Sequence, residues 1–168
     1  MILDVLVLLI LYLKTFYKKW KAKGKQVLIV NTLMYVYVGM VLYFTLMPIV
    51  GALPFIFSHP YVWMNMHLFS DVILGRGDFV RQIVLNVVMM MPFGFLLPLV
   101  KEKTTNLFKV IGYTFLFSLT IEMLQPLING FRMADVTDLV TNTAGGILGY
   151  LIYKIFKPLV DKVLAAFA

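Results

Sequence analysis

Residues 135–149 read Asp-Val-Thr-Asp-Leu-Val-Thr-Asn-Thr-Ala-Gly-Gly-Ile-Leu-Gly. Asp135, Asp138, Asn142, Gly145 or Gly146, and Gly149 recur at i, i+3, i+7, i+10 or i+11, and i+14, which is one stripe of a helix with 3.6 residues per turn. The first half of that stripe offers acceptors and the second half offers no side chains. Gly145 and Gly149 at small-xxx-small spacing let a neighbouring helix approach closely. Apolar residues continue to Phe156, giving the length of about 20 residues that a membrane crossing requires.

The whole chain agrees with that setting. It has 168 residues, 61% hydrophobic and 14% charged, with a mean hydropathy of +0.91. This excludes an ordinary cytosolic enzyme. The net charge of +7 does not point to nucleic acid, because the fifteen basic residues sit between long uncharged runs, the pattern of membrane-protein loops. The absence of cysteine excludes a disulfide framework, a zinc-thiolate site and a thiol nucleophile. The 15% aromatic share suits interfacial belts of Tyr and Trp.

Three further stretches have spanning length: about Val27 to Met47, Phe79 to Val100, and Leu107 to Ile128, beside Val136 to Phe156. A fifth, Ile2 to Tyr17, is shorter and carries Asp4 and Lys14 near its ends. Lys14, Lys18, Lys19, Lys21, Lys23 and Lys25 follow it, whereas a secretory signal carries its positive charge first. The expected fold is therefore an all-α polytopic helical bundle of about five transmembrane helices, with the N-terminus outside and the C-terminus cytoplasmic. All twelve lysines then fall on or beside the inner segments, which together with Glu102 and Asp161 carry +10. Arg76, Arg81 and Arg132 fall on the outer side with Asp4, Asp71, Asp78, Glu122, Asp135 and Asp138, a net charge of −3. The organisation is an N-terminal helix and basic cytoplasmic linker (1–26), a transmembrane domain (27–156) and a cytoplasmic tail (157–168). Within the domain, residues from about 54 to 70 interleave Phe55, Phe57, Tyr61, Trp63 and Phe69 with polar groups, as a re-entrant or surface-lying outer segment does.

Ionisable groups within a membrane mark function by default. Glu122 lies six residues before the outer end of its helix, about 9 Å down at 1.5 Å per residue. Asn86 and Asn142 lie at a similar depth on theirs. Arg81, Gln125, Arg132, Asp135 and Asp138 sit above them, near the headgroups. Arg132, on a short outer turn, can pair with Glu122, with Asp135 or with an anionic ligand such as phosphate. Met91-Pro92-Phe93-Gly94 interrupts the span that starts at Phe79, and Pro98 follows. The resulting kink is either a packing device or the opening of a lateral cleft beneath the polar layer.

Three motifs now stand in order: Asn86 through Pro92, Gly94 and Pro98; Ser118-Leu-Thr-Ile-Glu122-Met-Leu-Gln125; and Arg132, Asp135, Asp138, Asn142, Gly145, Gly149 and Tyr150. Together they resemble the VanZ-like family, over about Tyr43 to Tyr153. The resemblance implies a multi-pass protein of the bacterial cell membrane associated with reduced susceptibility to teicoplanin-type lipoglycopeptides. Carried over by position, it nominates Asn86, Pro92, Gly94, Glu122, Gln125, Arg132, Asp135, Asp138, Asn142 and Gly149. The helix before residue 26 lies outside the motif region.

Three readings of the polar layer compete. In the first it binds an envelope lipid or lipid-linked cell-wall intermediate, with Arg132 and Arg81 on phosphate, the carboxylates on polar headgroup atoms, and membrane lipid as the surroundings. In the second, the carboxylates perform acid/base or metal-assisted chemistry, although no His, Ser or Cys nucleophile constellation falls within the motifs and His59 and His67 are too loosely spaced to be ligands. In the third, Glu122, Arg132 and Asp135 form an ion-pair network that fastens helices for a partner-dependent function. No cofactor or metal is expected, and no nucleic acid.

Overall fold

The computed structural model describes residues 1–75, 77–101, 105–128, 130 and 132–167. Arg76, Glu102 and Lys103 of the charge assignment, and Asn129 and Phe131 beside Arg132, lie outside the described residues. Every regular element among the described residues is a helix, apart from an isolated bridge between Asn65 and Asp135. Helix α1 (Ile2–Leu11), a π-helical turn (Tyr12–Tyr17) and α2 (Lys18–Lys21) continue one another, with right-handed helical backbone at each junction. Gly24, at a φ of 108° that disfavours side chains, reverses the chain into α3 (Lys25–Thr45). α1 runs antiparallel along α3: the Tyr35 hydroxyl donates to the Leu8 carbonyl at 2.8 Å, and the Tyr12 and Thr32 hydroxyls share a 2.8 Å bond. Tyr12, Phe16, Trp20 and Tyr35 cluster their rings across this pair.

The short α4 (Ile49–Ala52), a 3-10 turn (Leu53–Phe55) and α5 (Ser70–Leu74) lead to three long helices: α6 (Phe79–Lys101), α7 (Leu107–Ile128) and α8 (Val136–Ala165). α3, α6 and α7 are each long and apolar enough to cross a membrane. Their bounds fall within about two residues of the hydropathic stretches. α8 continues past Phe156 through Pro158 to Ala165. Proline there removes one backbone bond, but Lys157 pairs with Asp161 one turn on, and the Gln26 amide donates to the Leu164 carbonyl at 2.7 Å.

α6 and α8 run parallel and form the tightest contact in the molecule. A β-carbon on Gly94 would fall on the Gly146 carbonyl, one on Gly145 on the Val87 carbonyl, and one on Gly149 on the Met91 carbonyl. α7 lies antiparallel against α8, with Thr114 packed on Gly146 and Ser118 on Asn142. Val41, Met90, Phe93, Leu97, Val110 and Ile121 fill the core between the helices. The outward faces remain apolar as well: Phe44, Leu85, Val88, Phe108 and Ile155 are exposed. A soluble protein does not leave so continuous an apolar exterior, whereas lipid solvates it at no cost. The molecule is a helical membrane bundle.

Two ends are thereby defined. One carries the lysines of α2 and the start of α3 together with the far part of α8. The other, the arginine end, carries Thr45, Arg81, Arg132 and the start of α8. Residues 46–78 begin and finish at the arginine end. They are held there by short bonds to the start of α8, with the Asn65 amide N–H donating to Ala134 at 2.8 Å, the Val136 N–H to Asn65 at 3.0 Å, and the Phe69 N–H to the Thr137 hydroxyl at 2.9 Å. Phe57, Trp63 and Met66 of this segment are exposed.

Candidate functional site

The site begins with the capping of α8. Asp135 is extended (φ −131°, ψ 131°), and its Oδ1 accepts the Thr137 N–H at 2.6 Å, an N-cap that starts the helix. Its Oδ2 accepts from the Asn65 side chain at 2.9 Å, and its own N–H donates to Glu122 Oε2 at 3.1 Å. Glu122, 3% exposed, therefore reaches from α7 to the entry of α8. One turn into α8, Asp138 Oδ1 accepts from Asn86 Nδ2 at 2.7 Å, joining α6 to α8. A turn deeper, Asn142 Nδ2 donates to the Ser118 hydroxyl at 2.9 Å, joining α8 to α7. The polar stripe of α8 thus ties each of its two long neighbours by side chains at the end where glycines do not.

These groups meet in a lateral cleft of about 510 Å³ between α3 and α6, with α7 and α8 behind. Glu122, Gln125, Arg132, Asp138, Asn86 and Asn142 all line it. Its walls are Tyr37, Met40, Phe44, Leu85, Val88 and Pro92, several of which also face the surroundings of the bundle. One cavity therefore joins an apolar mouth to a polar floor. Arg132 and Gln125 also line two further cavities at this end, of about 280 and 580 Å³.

Pro92 does not end α6. It leaves the Val88 carbonyl without its helical donor. Beside that gap the Tyr37 hydroxyl donates to the Met89 carbonyl at 2.7 Å. α3 is thereby fastened to the proline turn at the edge of the cleft.

Not every nominated residue joins the group. Arg81 is exposed, 4.0 Å from Asp78, and does not line the cleft. Asp135 has both carboxylate oxygens engaged as a cap and a loop tie. Pro92 lines the cleft, whereas Gly94, Gly145 and Gly149 form the α6–α8 seam behind it. The direct ion-pair network of Glu122, Arg132 and Asp135 is not formed: among the described residues no ion pair within 4 Å includes Arg132, whose Nη1 instead donates to the Thr45 carbonyl at 3.3 Å. Among the described residues no three His, Asp or Glu side chains could together hold a metal ion. Sequence spacing alone does not find Asn65, Tyr37 or the Thr45 carbonyl, which lie far from the motifs along the chain. The Met47-Pro48 peptide bond near Thr45 is cis.

A bundle with a cleft of this kind, apolar in its walls and polar at one end, defines a membrane protein whose candidate site opens sideways. The chain belongs to the VanZ/LLP1 family, whose model matches residues 5–157. It is 37% identical over 79 residues to Protein VanZ of Enterococcus faecium, an alignment covering 47% of each chain. The match thus spans about half the length of that relative. No solved structure matches the chain.

Proposed function

We propose that this protein is a multi-pass protein of the bacterial cell membrane that binds an outer-leaflet envelope lipid or lipid-linked cell-wall precursor in the lateral cleft. By changing what that leaflet displays, it would reduce susceptibility to teicoplanin-type lipoglycopeptides, as the family resemblance implies. The single observation carrying the reading is the cleft itself: an acyl chain fits walls of Met40, Phe44, Leu85 and Val88, while a headgroup meets Glu122, Gln125, Arg132 and Asp138. Five alternating passes, counting the rod of α1 and α2 and helix α8, put the arginine end outside if the lysines lie inside.

The test expresses the protein and its variants Glu122→Gln, Arg132→Ala and Asp138→Asn in a teicoplanin-sensitive host, with folding and membrane level checked for each. Loss of protection in correctly folded variants is expected, together with a co-purified lipid in the parent protein. Full protection in all three would overturn a role for the cleft. A new or missing covalent lipid species in envelope extracts would replace binding with catalysis.

A further inference from the structure

The floor of the cleft is unevenly supplied with hydrogen-bonding atoms. Each of its side-chain donor groups already holds a partner within the protein, Asn86 on Asp138, Asn142 on Ser118, and the Gln125 amide and Arg132 Nη1 both on the Thr45 carbonyl, with only Arg132, at the mouth, keeping several further N–H groups. Its acceptors are left over. Asn142 is 1% exposed, lines the cleft, and has a buried Oδ1 without a partner. Glu122 accepts at Oε2 from the Asp135 amide, and the Asp138 carboxylate accepts at Oδ1 from Asn86, although each carboxylate has room for several more bonds. A buried acceptor such as Asn142 Oδ1 is costly until a donor arrives.

The formal charges point the same way. Glu122 and Asp138 line the cleft against one guanidinium, Arg132. A bare phosphate would bring more acceptors and more negative charge to a floor already rich in both. An ammonium group brings three donors and a positive charge. Arg132 is itself exposed and borders the neighbouring cavities, with N–H groups beyond the one held by Thr45, so a phosphate is suited to the mouth rather than the floor.

We infer that the cleft selects a zwitterionic lipid headgroup bearing a primary ammonium, with the ammonium directed at Glu122, Asp138 and Asn142 Oδ1 and the phosphate at Arg132. This rests on the lipid-binding reading above and narrows its ligand to amine-bearing headgroups.

Native mass spectrometry of the full chain, released from micelles with four dioleoyl lipids in competition, tests it. Phosphatidylethanolamine should be retained about tenfold or more over phosphatidylcholine, phosphatidylglycerol and phosphatidic acid, the discrimination expected when unmatched buried polar groups reject the competitor. Phosphatidylcholine keeps the charge but has no N–H donors, so equal retention of the two would overturn the donor argument. Equal or tighter retention of phosphatidic acid or phosphatidylglycerol would overturn the charge argument. Glu122→Gln should reduce the preference for the amine, whereas Arg132→Ala should weaken all four lipids alike. The parent protein's selectivity decides the matter even if a variant fails to fold. If no lipid is retained at all, the lipid-binding reading fails along with this one, whereas binding without amine preference sinks only the latter.

Discussion

Alanine at Gly149 tests the seam on which the cleft is built. The added β-carbon would meet the Met91 carbonyl group, with the carbonyl carbon at 2.8 Å and Cα at 3.0 Å. Carbon atoms prefer separations of about 3.5–4.0 Å, so α6 and α8 would have to part by roughly 1 Å. No flexible side chain can yield in their place, because the obstructing atoms are backbone. Overpacking of this sort costs about 1–3 kcal/mol, and a backbone obstacle belongs at the upper end. The alanine regains about 1 kcal/mol of helix propensity, leaving a net loss of about 2 kcal/mol. For a chain of this size that corresponds to a fall of about 4 °C or more in Tm. Gly112→Ala supplies the control, since nothing lies within 4 Å of a β-carbon at that position, and it should be neutral or stabilising. Both variants would be melted in detergent and followed by circular dichroism. A Gly149→Ala protein melting at or above the parent, with Gly112→Ala behaving as expected, would refute the backbone-on-backbone seam.

Tyr37→Phe removes the hydroxyl from the Met89 carbonyl beside Pro92 and should cost about 1 kcal/mol, read as a lower Tm in the same detergent melt; an unchanged Tm would mean that this bond does not fasten α3 to the proline turn. Ser58→Cys places the chain's sole thiol on an exposed residue at the arginine end, and it should react with an impermeant maleimide added to intact cells. Labelling only after the membrane is opened would reverse the proposed orientation.

Much of this fold was legible in the sequence because lipid imposes length and charge rules that act locally. Helices of about 20 apolar residues stand out without knowledge of their neighbours, so α3, α6 and α7 appear near their expected bounds. The stripe from Asp138 to Gly149 also announced close packing, but not against which helix. Gly145 and Gly149 meet the backbone of α6, whereas Asn142 and Gly146 meet Ser118 and Thr114 of the adjacent α7, and periodicity in one segment carries no information about that division. The site divides in the same way. Glu122, Gln125, Asp138, Asn86 and Asn142 stand out as polar groups in apolar helices and Arg132 as a charge on the turn between two of them, and they do share one cavity. Depth along the helix alone groups Arg81 with them, whereas its exposed side chain lies near Asp78 and outside the cleft. Asp135 read as a ligand contact, yet an aspartate preceding a helix has a competing local use as its cap. Asn65 and the Thr45 carbonyl acquire their roles only from tertiary contact.

The parallel pairing of α6 with α8 also sets an order of assembly. α6 is synthesised first, but the helix that covers its Val87 and Met91 backbone is made only after α7 has been threaded through in the opposite direction. Until then Asn86 faces the bilayer without Asp138, and the surface around Gly94 is open. A ribosome stalled after α7 would leave a membrane intermediate bearing a sticky, polar-tipped groove, the kind of species that insertion chaperones shield. The arrival of α8 therefore closes the seam and forms the polar floor in the same event.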